Sequence, residues 1–378
     1  MIPYGQQSID DEDIAEVTKV LRSDWITTGP KVDEFEEAVA RYLGCRHTVA
    51  VNSGTSALDI AVQALGLPEG SEIITTPLTF AADANCALYN NCKPVFADIE
   101  RETRNISPAD IRRHITKKTK AIIYVDYAGQ PCDIEEIREI ADEHGLYLIE
   151  DACHALGAEY HGKKVGGFAD MTILSFHPVK HITTGEGGAV VTNDDGLCQK
   201  LKLLRSHGMD RTARERSGKA LGYVYDIKML GRNYRITDIQ CALGLSQLRK
   251  IDHFLARRQE LADLYDETLK DVSFVETPVT RSGIRHAWHL YTILLEKGID
   301  RDVFYEYMRN NGIGANVHYI PVYRFTYYRE HFDIDPAAYP VTEDVFSSII
   351  TLPLHPGLTD DDVRHICDVI RSFKQTGH

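Results

Sequence analysis

The run Ser175-Phe176-His177-Pro178-Val179-Lys180-His181-Ile182-Thr183-Thr184-Gly185-Glu186-Gly187-Gly188 leads from an apolar strand into a glycine-rich turn, with one lysine set where the strand ends. Upstream, Ile149-Glu150-Asp151-Ala152-Cys153-His154 places an acid at the end of a second apolar strand. A lysine and an aspartate emerging together from one sheet edge suggest a Schiff-base site for pyridoxal phosphate. The lysine supplies the imine, and the carboxylate keeps the pyridine nitrogen protonated so that the ring can take up electrons.

Outward from these two strands the pattern repeats. Apolar runs at Thr48–Asn52, Glu72–Thr76, Pro94–Asp98, Ala121–Asp126, Leu146–Glu150, Met171–Phe176 and Ala189–Thr192 predict strands covered on both faces. Helical patterns such as Ser56–Leu65, Ile134–His144 and Leu197–Ser206 lie between them, which defines an α/β sandwich on a largely parallel sheet. Ahead of the first strand, residues 1–44 carry helical patterns over Asp11–Arg22 and Val32–Leu43. Residues 207–232 are polar and read as an exposed loop, followed by one long helical stretch from Ile236 to about Leu269. A strand at Tyr291–Leu295 and helices at Arg301–Asn310 and Asp360–Phe373 predict a smaller α+β domain. The expected division is a large domain over 1–250 and a small one over 251–378.

Bulk composition narrows the function. A chain of 378 residues, 43% hydrophobic and 26% charged, has the make-up of a soluble globular protein. Its net charge of −14 argues against nucleic acid or an anionic membrane as partner. The eight cysteines form no CxxC pair and no zinc-spaced cluster with histidine, so no metal is expected and the thiols read as free in a reducing compartment. Met1-Ile2-Pro3-Tyr4 opens without the basic and apolar regions of a secretory signal, and no run approaches the roughly 20 apolar residues of a bilayer span. The expectation is a cytoplasmic protein.

Other segments can serve the same site. In Asn52-Ser53-Gly54-Thr55-Ser56 a strand gives way to a helix through glycine and hydroxyls, which makes a phosphate cradle of free N–H groups; the plainer reading of Ser53 or Thr55 is a helix cap. His154 either orients Asp151 or fills the core, and Ser175 donates to a phosphate or caps a turn. Phe80 lies just past a strand, placed to stack on a ring or to pack inside. Arg232-Asn233-Tyr234-Arg235 precedes a helix and can bind a phosphate or carboxylate, or merely lead into the helix cap at Thr237 or Asp238.

Together these blocks resemble the DegT/DnrJ/StrS family of nucleotide-sugar aminotransferases. The likeness also runs through Trp25-Ile26-Thr27-Thr28-Gly29-Pro30, Tyr127-Ala128-Gly129-Gln130-Pro131, Arg205-Ser206-His207-Gly208 and His318-Tyr319-Ile320-Pro321. The resemblance implies fold type I, the aspartate aminotransferase-like architecture, with a mostly parallel seven-stranded sheet. It implies that Lys180 links the cofactor and Asp151 partners the ring nitrogen, with His154 beside it. Gly54, Thr55 and Ser175 would bind the phosphate, and Phe80 would stack on the ring. Asn233 would be lent by the neighbouring subunit, so a homodimer with a shared active site is implied. Tyr4, Trp25, Ile26, Thr27, Arg235, His318 and Tyr319 fall where the family meets the sugar nucleotide, along with Gly54, Ser175 and Asn233.

Within the family, His177-Pro178-Val179-Lys180 resembles the branch that aminates C4 of a UDP-linked 4-keto-6-deoxy sugar in pseudaminic acid synthesis, with L-glutamate as donor and ping-pong kinetics. Members acting at C3 tend to carry tyrosine at His177, and His181 replaces a proline often found beside the lysine. Arg232 and Arg235 are the candidates to clamp the donor carboxylate. A deoxygenating dehydratase of this fold would carry histidine at Lys180, and a Rossmann dehydrogenase would need a G-x-G-x-x-G after its first strand. The remaining rival is a regulatory protein on the same scaffold.

Overall fold

The computed structural model describes residues 1–210 and 223–374. Of the expected loop at 207–232, residues 211–222 therefore lie outside the described residues.

The first nine strands are His47–Val51 (β1), Glu72–Thr75 (β2), Lys93–Phe96 (β3), Thr119–Val125 (β4), Tyr147–Asp151 (β5), Glu159–Tyr160 (β6), Lys163–Lys164 (β7), Met171–Ser175 (β8) and Gly188–Thr192 (β9). Seven form one sheet in the order β1-β9-β8-β5-β4-β2-β3. Only β9 runs antiparallel to its neighbours β1 and β8, so the mostly parallel seven-stranded sheet expected from the sequence is present. Alternate residues face opposite layers, as the pleat requires. Ile73, Ile123, Ile149 and Ile173 pack on the helix Gly54–Leu65, whereas Ile74, Ile122 and Leu148 pack on the helix Ile134–His144.

Helices begin where the sequence supplies acceptors for N–H groups that have no carbonyl one turn back. Ser53 Oγ accepts from Ser56 N at 3.0 Å, Asp194 caps Asp195–Arg205, and Thr237 with Gln240 forms a capping box at Asp238–Arg249.

Most element ends lie within one or two residues of the sequence reading, and three of the differences have a structural consequence. Asp151 is the last residue of β5, paired with Val125 on one side and Ile173 on the other, rather than the first residue beyond it. The strand expected to reach Asp98 stops at Phe96, because the Asp98 carboxylate turns away to accept the N–H groups of Val341 and Thr342 at 3.0 and 2.9 Å. The long helix is two, Asp238–Arg249 and Ile251–Leu269, broken at Lys250, whose ψ of −2° leaves the helical range. The Lys250 ammonium is tied to Asp10 and Asp13 at 2.7 and 2.8 Å, a long-range contact that local periodicity does not register.

The C-terminal part adds Val275–Glu276 (β10), Ile284–Arg285 (β11), Tyr291–Leu295 (β12) and Ile349–Leu352 (β13). An antiparallel sheet β10-β12-β13 packs with the helices Ile251–Leu269, Arg301–Asn310 and Asp360–Arg371 around Tyr265, Ile293, Phe304 and Ile366. Strand β11 pairs instead with β6. The first residues belong structurally with this C-terminal part. Ile2 exchanges backbone hydrogen bonds with Gly312 and Gly314, and Tyr4 O accepts from Leu354 N at 3.0 Å, which sets the Tyr4 side chain over the carboxyl ends of β5 and β8.

Candidate active site

A cavity of about 420 Å³ opens where β5 and β8 end, the position at which open α/β sheets bind ligands. Of the residues expected from the sequence, Tyr4, Gly54, Thr55, Phe80, Asp151, His154, Ser175, Lys180, His318 and Tyr319 all line it. Trp25, Ile26, Thr27, Asn233 and Arg235 do not.

One end of the cavity is the start of the helix Gly54–Leu65, where Gly54 and Thr55 present N–H groups without intrahelical partners. Space there is tight. A Cβ on Gly54 would meet Ser175 Cβ at 3.1 Å and Cys153 Sγ at 3.3 Å, while one on Gly188 would meet the Ser53 carbonyl and Gly54 N at about 2.5–2.6 Å. Two glycines thus let backbone approach backbone and leave a small polar cradle at a positive helix end, which suits a phosphate. The turn after Lys180 is held locally: Thr183 Oγ1 donates to Phe176 O at 3.1 Å and accepts from Gly185 N at 2.9 Å.

At the opposite end, Asp151 Oδ1 accepts the Cys153 N–H at 2.8 Å. His154 does not orient this carboxylate by a hydrogen bond, contrary to one sequence expectation. Its Nδ1 accepts from Ala128 N at 3.3 Å and its Nε2 meets the Tyr319 hydroxyl at 3.0 Å, so the neutral Nε2–H tautomer fits. Burial pushes His154, His181, His289 and His318 below the ordinary imidazole range, His318 to about 3, and the Lys180 charge adds to the effect in all four. Lys180 is partly exposed on its cavity side. The protein packed around its amine pushes its pKa down, opposed by the acidic groups beside it, Asp151 and Asp83 among them. A lysine with a weakened hold on its proton, among neutral histidines, can act as nucleophile and base.

Sequence reasoning missed Asp83, Cys153, His177, Glu186 and His289, which also line the cavity. Cys153 and Asp83 had a faint signal, each lying two or three residues beyond a site residue. His289 had none, since it arrives from the segment before β12. His154 and His289 rings lie 4.4 Å apart.

The remaining expected residues form a separate, open region. Thr27 bridges Thr237, and Ile26 O accepts from Asp238 N at 3.1 Å; Ile26 is 51% exposed. Asn233 is exposed and bridges Ser206. Arg235 borders a second cleft of about 520 Å³ with Arg205 and Lys202, and its guanidinium makes a long contact of 3.5 Å with Ser206 Oγ. Arg232 is engaged elsewhere, 3.3 Å from the buried Asp59 carboxylate.

Sheet, strand-end lysine, strand-end aspartate and phosphate corner together define an aminotransferase of the pyridoxal phosphate type. The chain belongs to the DegT/DnrJ/EryC1/StrS aminotransferase family, whose model matches residues 7–371. It is 40% identical over 378 residues to the UDP-4-amino-4,6-dideoxy-N-acetyl-beta-L-altrosamine transaminase of Campylobacter jejuni, covering 99% of this chain and 97% of that one. Among solved structures it superposes on Helicobacter pylori PseC, an aminotransferase involved in the biosynthesis of pseudoaminic acid, with a TM-score of 0.92, 38% identity and 98% of each chain covered. The PMP-form of Spr1654, a putative sugar aminotransferase from Streptococcus pneumoniae, matches with a TM-score of 0.93 at 30% identity, again over 98% of each chain. The protein is a sugar aminotransferase.

Proposed function

We propose that this protein moves the amino group of L-glutamate to C4 of a UDP-linked 4-keto-6-deoxy sugar, in a route of the pseudaminic acid type. The observation that carries the proposal is the convergence of Lys180, Asp151, Ser175 and the Gly54–Thr55 corner on one cavity. The UDP-linked sugar is supported by the relative in Campylobacter jejuni and the pathway by the one in Helicobacter pylori.

Pyridoxal phosphate, when bound, supplies an electron-accepting ring and carries the amino group between donor and sugar. Gly54, Thr55 and Ser175 hold its phosphate, and Asp151 keeps a proton on its ring nitrogen. Phe80, 63% exposed at the mouth of the cavity, has a free face on which a ring can stack. The Lys180 amine would link the cofactor and, when not so engaged, would be the group in this cavity placed to take up and return a proton. Donor and sugar enter the same cavity in turn, so ping-pong kinetics follow. Of the two candidate arginines, Arg235 would be the one to clamp the donor carboxylate, reaching the partner subunit's cavity rather than its own, because Arg232 is paired with Asp59.

Trp25, Ile26, Thr27 and Asn233 do not line the cavity of their own chain, which supports a homodimer in which one subunit's open region completes the other's site. The division into 1–250 and 251–378 and a cytoplasmic location belong to the same proposal; among the described residues no helix is long and apolar enough to cross a membrane.

Absorbance of the purified protein with added pyridoxal phosphate tests the core of this reading. A band near about 410–430 nm that moves toward about 330 nm with glutamate and is missing in Lys180→Ala is the expected result for lysine-linked cofactor. A 4-keto sugar then restores the first band. No band at saturating cofactor sinks the proposal.

A further inference from the structure

The cavity contains a second acid that neither the sequence pattern nor the family match assigns. Asp83 sits in the first turn of the helix Ala82–Tyr89, three residues after Phe80, and is 1% exposed. Its Oδ2 accepts the Thr79 hydroxyl at 2.6 Å, while its Oδ1 is buried without any partner. Asp83 and Asp151 line the same cavity, and the Asp151 charge bears on the Asp83 carboxyl. An acid with one oxygen satisfied and the other buried without a partner, in a site that holds a second carboxyl, is costly unless it keeps its proton or meets a bound group.

We propose that Asp83 is a second acid at the ring-nitrogen end of the cofactor site, carrying a proton that it shares with Asp151, so that the pair holds one negative charge between them. The inference rests on the reading of Asp151 given above. One Asp151 oxygen is already taken by the Cys153 N–H. A proton on Asp83 then provides a donor for the other, fixing the carboxylate and keeping it ionised toward the ring nitrogen. Asp83 thereby acts as a positioning residue through Asp151. Two carboxylates this close in a buried site do not both ionise, because each destabilises the other's charge.

The surroundings agree. Burial and the Asp151 charge raise the Asp83 pKa, with the Thr79 hydrogen bond and the Lys180 charge opposing. Cys86 lies one turn on along the same helix, and Asp59 reaches this end from the helix Gly54–Leu65; neither brings a positive charge. Cys153 on the segment after β5, with Tyr319 and Tyr328 from the C-terminal part, faces Asp83 with groups whose own pKa values burial drives upward, so they remain neutral. Among the described residues Lys180 is the cation that acts on this pair, and one ammonium cannot neutralise two carboxylates.

Infrared difference spectra of the full chain, with and without pyridoxal phosphate, read the proton directly. The carbonyl stretch of a protonated carboxylic acid, displaced in deuterium oxide, is expected in the wild type at neutral pH and lost in Asp83→Asn. The bands of Glu150 and Asp126, two other buried acids with raised pKa values, remain in that variant.

A second measurement uses pH. A folded pKa above the unfolded one means that the folded chain binds more protons, so Asp83 weighs against folding increasingly as pH rises from the unfolded carboxyl range toward its folded pKa. Without cofactor, Asp83→Asn is therefore expected to gain stability over the wild type between pH 5 and 8, the gap widening with pH. In cofactor affinity Asp83→Ala, which lacks a donor, is expected to lose about tenfold more than Asp83→Asn. A spectrum unchanged in Asp83→Asn, or a stability gap that is flat or reversed, overturns the proposal. Failure of the cofactor reading shows separately, as absence of the lysine-dependent absorbance band in the wild type.

Discussion

The two halves of the site are built differently. Around Lys180 and Asp151 the walls come from strand ends and a helix start whose positions the sheet fixes, and one chain encloses the cavity. Around Trp25–Thr27 and Asn233–Arg235 the chain runs between helices, touches its neighbours by single bridges and stays open. The contrast teaches where the chemistry and the choice of substrate reside. Proton movement needs groups held rigidly against each other, which a paired sheet provides. In the proposed homodimer, selection among sugar nucleotides would fall to the open segments.

The contrast breaks most decisively at Lys180. Lys180→Ala is expected to lower turnover by about 10³-fold or more while leaving the fold intact, since the side chain faces the cavity rather than the core. Steady-state rates together with a circular dichroism spectrum check both halves of that statement. A variant with rates within tenfold of the parent would show that the closed half does not carry the chemistry.

Gly188→Ala strikes the same half through packing. Its Cβ would lie about 2.5 Å from the Ser53 carbonyl, so β9 or the Gly54 corner must shift. An overpacked contact costs about 1–3 kcal/mol, which at about 1.4 kcal/mol per decade predicts a loss of roughly 5- to 140-fold in cofactor affinity. Fluorescence titration with pyridoxal phosphate measures it. An unchanged dissociation constant would mean that the corner does not bind the phosphate.

Arg235→Ala addresses the open half and is expected to act differently. Loss of a charged hydrogen bond raises KM for glutamate about tenfold and leaves kcat within a few-fold, because the closed half is untouched. A fall in kcat with constant KM would merge the two halves into one functional unit.

How far the sequence reveals each half follows from the same difference. Lys180, Asp151 and the Gly54 corner are legible because each ends an apolar strand, and parallel strands of one sheet bring such ends to one edge. The sheet itself is legible through its apolar runs, with ends misplaced by one or two residues where side chains such as Asp98 are captured by distant partners. Asp83 is not legible, since an acid in the first turn of a helix ordinarily complements the helix dipole at the surface. Only the fold shows that this turn lies under Asp151. The break at Lys250 is hidden for a related reason: it depends on Asp10 and Asp13, more than 230 residues away in the chain.

The closed half also rests on histidines that burial keeps neutral, and His286 gives the cleanest view of that cost. Its ring stacks on Trp288 at 3.9 Å, its Nδ1 accepts the Trp288 N–H at 2.8 Å, and the neighbouring Ala287 O accepts from His181 beside Lys180. Burial, with the Arg104 charge adding to it, lowers its pKa to about 3. In the unfolded chain the group titrates near about 6.5. Between those values the unfolded chain binds the proton and the folded chain does not. The stability His286 contributes is therefore complete above about pH 6.5 and falls as the pH drops toward 3. Urea unfolding of the cofactor-free protein at pH 7, 6 and 5 is expected to give His286→Gln a lower stability than the wild type at pH 7, because the stack is lost. Its acid-side slope should be shallower by up to about 1.4 kcal/mol per pH unit. Identical slopes would mean that His286 takes up a proton in the folded protein, and that the floor beneath the lysine is more open to water than the packing indicates.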